Sequence, residues 1–203
     1  MFVLNIAAGK FEPLPLTSQD NLMLPKYVVN VDTSYFSKKE AADIEEEAVL
    51  WGNDPDRITK YVNLNMDVFE FMERTSLTFN RVVIYRFLEH VSFTQIEYFI
   101  YLVSTVLDIS GHVDVIVPNY TILAQMLLDE PYNPNPDFNF EAHNILLTTE
   151  MLNEPSCPHA SIWTAQRMEH FWELEDRFTV LNQDQIFSFD GRAIYLRSTI
   201  QRI

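Results

Sequence analysis

The chain has 203 residues, 47% hydrophobic and 13% aromatic, enough for one domain around a single substantial core. Its formal charge of -15 sets an acidic surface against phosphate backbones, and the 14 Lys and Arg are scattered, which argues against nucleic acid as a partner and for a small molecule, a sugar or a protein. No apolar run approaches the roughly 18 residues of a membrane span, no basic segment precedes the apolar Met1–Ile6 as in a secretory signal, and the single cysteine, Cys157, excludes an intramolecular disulfide and a multi-cysteine zinc site, so a reducing, cytoplasmic setting is expected.

The elements follow one another with glycine as punctuation, at Gly9, Gly52, Gly111 and Gly191. A first strand is predicted over Val3 to Ala7, running directly into Ala8-Gly9-Lys10. Pro13, Pro15 and Pro25 disfavour a regular helix before the second strand, Tyr27 to Asp32, which is rich in β-branched residues. Ser37-Lys38-Lys39-Glu40 reads as a capping box that opens a helix to about Leu50, with Gly52 as its stop. A third strand is expected over Tyr61 to Asn65, a short helix near Asp67 to Arg74, and a fourth strand over Arg81 to Tyr85.

Ser92-Phe93-Thr94-Gln95 is a second capping box. After it Ile96, Phe99, Ile100, Val103, Val106 and Leu107 fall at helical spacing, and Gly111 is the expected end of that helix. A fifth strand is predicted over His112 to Val117, stopped by Pro118, and a short helix over Thr121 to Asp129. Residues 131 to 160, with five prolines, read as an irregular insertion in one domain spanning residues 1–203. Thr164 to Leu174 is the last predicted helix, followed by strands over Phe178 to Asn182 and Ala193 to Ile200, with Asp190-Gly191 as a turn. Strands alternating with helices imply an α/β, doubly wound, mostly parallel sheet, and ligands of such sheets bind at the carboxyl ends of the strands.

The candidate chemistry gathers at those ends. The small residues Ala7, Ala8 and Gly9 let a ligand approach the backbone, although an ordinary strand-to-loop turn has the same composition. The pattern is not G-x-G-x-x-G, which counts against NAD and FAD. Asp32 ends the second strand about 20 residues past that turn, where a carboxylate accepts from both hydroxyls of a ribose. Asp67, with Val68 beside it, is a further acid at the same edge, able to accept from an adenine amino group; a helix N-cap is the competing reading. After the fourth strand, Arg86 is suited to bidentate pairing with a carboxylate and His90 to proton acceptance near neutral pH. Tyr132, Phe138, Phe140, Trp163, Phe171 and Trp172 either wall an acceptor pocket or fill the core. Ser156-Cys157-Pro158-His159 holds a Cys and a His, but near neighbours in sequence rarely form a nucleophile–base pair, and no metal-ligand spacing is present.

The ordered segments LNIAAGK, YVVNVD, NMDVFEFM, VVIYRFLEHV and GHVDVIVPNY, together with the later HASIWTAQRM, resemble class I, Rossmann-like S-adenosylmethionine (SAM) dependent methyltransferases. They are also similar to methyltransferase-like proteins of tailed bacteriophages. The family pattern runs L-N-L-G-C-G-K, V-N-V-D, an acid after the third strand, L-E-H-V, and G-G before the fifth strand. The resemblance implies a seven-stranded sheet with an antiparallel last strand and SAM as cofactor. Ala7, Ala8 and Gly9 would face its methionyl part, Asp32 the ribose, and Asp67 and Val68 the adenine. Arg86 would flank the methionyl group, and His90 and His159 would lie on the acceptor side as proton acceptors. The chain departs from the pattern at Ala7, where the family has glycine, and at Ser110, where it has the first glycine of a pair. A catalytically silent protein that keeps the fold for a structural or interaction role is the alternative those departures raise. No N/D-P-P-Y/F follows the fourth strand and no Pro-Cys dipeptide occurs, which argues against methylation of DNA bases.

Overall fold

The computed structural model describes residues 2–6, 27–32, 60–129, 160–174, 176–187 and 194–203. Seven strands form one sheet: β1 Phe2–Ile6, β2 Tyr27–Asp32, β3 Lys60–Asn65, β4 Phe79–Tyr85, β5 Leu107–Pro118, β6 Phe178–Phe187 and β7 Ile194–Arg202, in the order β3-β2-β1-β4-β5-β7-β6. β1 is parallel to β2 and β4, β2 is parallel to β3, and the last strand is antiparallel. The helices among the described residues are α1 Val68–Arg74, α2 Phe93–Val106, α3 Tyr120–Asp129 and α4 Ala165–Glu173, with a 3₁₀ turn at Leu88–His90. The chain makes two compact units, Met1–Tyr85 with Phe99–Val113 and Arg202, and Arg86–Tyr98 with Asp114–Gln201 and Ile203.

In the first unit the β-branched runs do what their composition favours. Val3 pairs with Val28 across β1 and β2, and Val3, Val28 and Val83 form a buried apolar cluster. One rung further along, Asn5 pairs with Asn30, both buried, and the Asn5 amide Nδ2 donates to Asn30 Oδ1 at 3.0 Å. Val68, Phe71 and Met72 bury one face of α1, and the Phe69 ring meets Phe99 edge-on at 5.6 Å. The Leu107 carbonyl accepts from the Arg202 guanidinium, and Asn80 Nδ2 donates to Asp108 Oδ2 at 2.8 Å.

In the second unit Thr164 caps α4, its hydroxyl accepting from the Arg167 N–H at 3.2 Å, and the helix buries Met168 and Trp172. The Trp172 ring stands perpendicular to Phe178, with centroids 5.0 Å apart. Thr199 Oγ1 donates to Asp114 Oδ1 at 3.2 Å, tying β7 to β5.

The expected stripe of α2 is buried at Ile96, Phe99, Ile100, Val103, Val106 and Leu107. Its end differs from the expectation. The helix stops at Val106, and Gly111 lies inside β5. Near that stop the Ser104 and Thr105 hydroxyls donate back to the carbonyls of Tyr101 and Leu102, which offers the last turn an alternative to continuing. Gly111 serves a close approach of the backbone instead. A Cβ there would come within 2.8 Å of the Asp108 carbonyl oxygen, directly after Ser110 at φ 65.

The Ser92 capping box also differs. The Ser92 hydroxyl donates to Gln95 Oε1 at 2.8 Å, and the Gln95 N–H is taken by the Ser92 carbonyl instead. β4, β6 and β7 are each longer than periodicity predicted, because ladder pairing carries a strand past the point where its alternation fades. The box at Ser37 to Glu40, the Gly52 stop, the end of the first strand at Ala7, the turn at Asp190-Gly191 and residues 131–159 of the proline-rich insertion lie outside the described residues.

Candidate functional site

The carboxyl edge of the first unit is built by register. Ile6 pairs with Val31 and with Ile84, and Asp32 pairs with Asn65, so β1, β2, β3 and β4 end nearly level. The Met66 N–H then donates to the Asp32 carbonyl at 3.0 Å. That bond holds the chain leaving β3 against the end of β2, with Asp67 as the next residue. Asp32 and Asp67 therefore stand at one edge of parallel strands, as the spacing implied.

Their surroundings differ. Asp32 is buried, 8% exposed, on an edge where an acid has little bulk water to rely on. Asp67 is exposed and caps α1, with Oδ1 accepting from the Glu70 N–H at 3.1 Å. The cap reading of Asp67 is thus correct, and the carboxylate keeps Oδ2 and further lone pairs for another donor. Val68 is buried beneath it. Ala7, Ala8, Gly9 and His159 lie outside the described residues.

The second unit carries the turn after β4. Arg86 has φ 51, in the left-handed region that a residue with a Cβ adopts only when its surroundings compel it. Its N–H is held by the Ile116 carbonyl at 2.8 Å, which pins the turn to β5, and its side chain is exposed. The Leu88–His90 turn is then fastened from the other side. The Glu89 carbonyl accepts from the N–H groups of Ala160, at 2.7 Å, and Ser161, at 3.0 Å. The Leu88 carbonyl accepts from the Ser161 hydroxyl at 3.0 Å and from Trp163 Nε1 at 3.2 Å. His90 is half-buried at the end of this turn.

Trp163 and Trp172 are fully buried, so for those two the core reading holds. Phe171 is partly exposed and stacks on Phe93 at 5.9 Å, with the Arg167 guanidinium 4.8 Å from the Phe93 ring centroid.

Glu89 went unnoticed in the sequence and is the most unusual group here. It is 1% exposed, and its Oε2 is buried without a hydrogen-bond partner among the described residues. Burial pushes its carboxyl up to about 8, against smaller opposing effects of its own backbone N–H and the Arg86 charge. Burial, followed by the Glu89 charge, raises the Tyr120 hydroxyl as well. The signal available in the sequence was an acid with Phe87, Leu88 and Val91 close by in the chain.

No family model matches the sequence, and no curated protein does at a meaningful level. Solved structures do match. A SAM-dependent methyltransferase from Methanosarcina mazei aligns over 100% of this chain and 92% of its own, at 12% identity and a TM-score of 0.61. The chain has the class I methyltransferase fold. The N-methyltransferase NodS from Bradyrhizobium japonicum, in complex with S-adenosyl-L-homocysteine, aligns over 99% of this chain and 77% of its own, at 11% identity and a TM-score of 0.54. The 1,6-didemethyltoxoflavin-N1-methyltransferase of Burkholderia thailandensis, with bound 1,6-didemethyltoxoflavin and S-adenosylhomocysteine, aligns over 99% and 70%, at 14% identity and a TM-score of 0.56. Asp32 ends β2, and Asp67 follows the end of β3 as the N-cap of α1, both at the carboxyl ends of parallel strands. Among the described residues no helix is long and apolar enough to cross a membrane.

Proposed function

We propose that the chain binds SAM and transfers its methyl group to a small molecule, a sugar or a protein. The observation that carries the proposal is the register of β2 and β3, with the Met66 N–H on the Asp32 carbonyl, which brings two carboxylates to one edge. Structural neighbours crystallised with S-adenosylhomocysteine support the choice of cofactor.

The residues present fit an adenosyl group. An adenosine offers two ribose hydroxyls and an amino group, all hydrogen-bond donors, and the edge offers acceptors. Asp32 accepts from the ribose hydroxyls. Asp67, with Oδ1 committed to the Glu70 N–H, accepts the adenine amino group through Oδ2, while Val68, expected to pack on the ring, is buried on the core face of α1 and has little surface for it. A phosphate in place of the nucleoside would face two negative charges. In this reading the Ala7, Ala8 and Gly9 turn faces the methionyl part, and Arg86 pairs with its carboxylate. SAM supplies a methyl group on a positively charged sulfur, so what the protein adds is alignment of acceptor and methyl. His90 and His159 hold the proton that a hydroxyl or amine acceptor gives up.

The charge of -15 and the absence of N/D-P-P-Y/F after β4 favour an acceptor other than DNA. A cytoplasmic setting, a single domain with a proline-rich insertion, and kinship with phage methyltransferase-like proteins belong to the same reading, and the motif order and composition are their support. Ala7, where the family has glycine, favours a second reading, a silent protein that keeps the fold.

Mass spectrometry of the protein denatured after gentle purification tests the choice. SAM or S-adenosylhomocysteine should be released from the wild type and not from Asp32→Ala. A wild type that carries neither, and transfers no label from methyl-tritiated SAM to a cell extract, supports the silent reading.

A further inference from the structure

We propose that Phe93, Phe171 and Arg167 form a binding site for an aromatic carboxylate, and that the methyl acceptor belongs to this class. The second half rests on the methyl-transfer reading; the site itself does not.

Three aromatic rings meet in the second unit. Trp163 is fully buried, and its Nε1 donates to the Leu88 carbonyl at 3.2 Å and to Ser161 Oγ at 2.9 Å. That bond seats the cluster on the turn that leaves the carboxyl end of β4, the end at which sheets of this kind take ligands. Phe171 stands edge-on to Trp163 at 5.8 Å, and Phe93 lies 6.4 Å from Trp163 and stacks on Phe171 at 5.9 Å. Burial falls off outward from the tryptophan. Phe171 is half-buried and Phe93 is 39% exposed, so the outer rings keep apolar surface in water.

Arg167 crosses this surface. Its guanidinium carbon lies 4.8 Å from the Phe93 centroid, and Nη1 donates to the Ile162 carbonyl at 2.9 Å. These two contacts hold the long side chain in place, so much of its rotamer freedom is spent before any ligand arrives. Neither contact is with an acid, and Arg167 makes no ion pair among the described residues. In a chain with 29 Asp and Glu against 14 Lys and Arg, that is the unexpected feature. Of the acids on α4, Glu169 is two residues from Arg167 and turned away around the helix, and Glu173 Oε1 accepts from the Val180 N–H at 3.1 Å.

A ring and one carbonyl leave the positive charge of Arg167 unneutralised, and the guanidinium keeps further N–H groups for a carboxylate and a planar face for stacking. An aliphatic acid uses the cation and leaves the rings in water. A neutral aromatic uses the rings and leaves the cation without a counter-charge. An aromatic carboxylate uses both, and on a chain of charge -15 an anion docks only where a local cation receives it.

Calorimetric titration of 4-hydroxybenzoate into the full chain, with and without S-adenosylhomocysteine, tests this, with phenol and acetate as the two halves of the probe. Saturable binding of 4-hydroxybenzoate at millimolar ligand is expected, with phenol and acetate each weaker by at least about tenfold. Arg167→Gln and Phe93→Leu should each lower the affinity for 4-hydroxybenzoate by about tenfold, as for loss of a charge-assisted hydrogen bond or of a ring that holds the cation in place. If Phe93→Leu does not fold, Arg167→Lys carries the comparison. It keeps the charge, loses the fork and the flat face, and should bind nearly as weakly as Arg167→Gln. Wild type that binds S-adenosylhomocysteine but not 4-hydroxybenzoate overturns this inference alone. So does binding no tighter than that of phenol or acetate, or binding that ignores Arg167→Gln. Wild type that binds 4-hydroxybenzoate through Arg167 but no S-adenosylhomocysteine keeps the site and overturns the methyl-transfer reading.

Discussion

Asn5 and Asn30 join side chain to side chain at 3.0 Å across a buried rung between β1 and β2, two residues below the carboxylate of Asp32 on the same face of its strand. Asparagine is a poor strand residue, and a buried amide is tolerable only when it is paired. Here the pair lies beneath the edge and stiffens the floor on which Asp32 stands.

Asn5→Ala should therefore cost more than its lost volume, because Asn30 Oδ1 loses the Asn5 donor. The expected loss is about 1–3 kcal/mol, read as a shift of the urea midpoint with an unchanged slope. The double replacement Asn5→Val with Asn30→Val removes both polar groups and should recover much of that loss. A double variant weaker than the sum of the singles would show that the amides do something other than satisfy each other.

Glu89 makes stability depend on pH in a stated direction. Its folded pKa is raised from 4.5 to about 8, so the folded state binds the extra proton between those values. The protonated folded state is fully favoured below 4.5, and that advantage is lost as pH rises through about 8. Across the window the wild type should lose stability on the order of 4 kcal/mol relative to Glu89→Gln, which has no such proton. Urea unfolding at several pH values reads the slope. Parallel curves for the two proteins would mean that the Glu89 carboxyl is in contact with water.

Gly111→Ala tests the bend at the start of β5. The new methyl meets the Asp108 carbonyl oxygen and the Leu107 side chain, each at 2.8 Å, and neither yields cheaply, since one is backbone and the other is buried. A loss of about 1–3 kcal/mol is expected. A stable Gly111→Ala protein would show that the bend relaxes.

Much of this molecule is legible before any coordinates. β2 is found residue for residue, α1 begins where Asp67 caps it, and the α2 stripe is buried as its spacing demands, because each rests on a local rule: β-branched composition, a cap, a 3.6-residue period. Asp32 and Asp67 are legible for the same reason, each standing at the boundary of an element. What escapes is what long-range contact decides. Gly111 resembles a helix stop because a glycine after an apolar stripe usually is one, while the helix ends at Val106, beside the Ser104 and Thr105 hydroxyls that donate back to the Tyr101 and Leu102 carbonyls. For Glu89 the apolar neighbours Phe87, Leu88 and Val91 are only a hint of burial, and the turn that holds it is fastened by Ala160 and Ser161, some seventy residues away.

Calorimetric titration of S-adenosylhomocysteine into wild type and Asp32→Ala at neutral pH is the most direct test of the proposal that this edge binds a nucleoside. Saturable binding to the wild type is expected, with affinity lower by at least about tenfold in Asp32→Ala and the unfolding midpoint little changed, as for loss of a charge-assisted hydrogen bond. No binding to the wild type at millimolar ligand, or equal affinity in the two proteins, would contradict it.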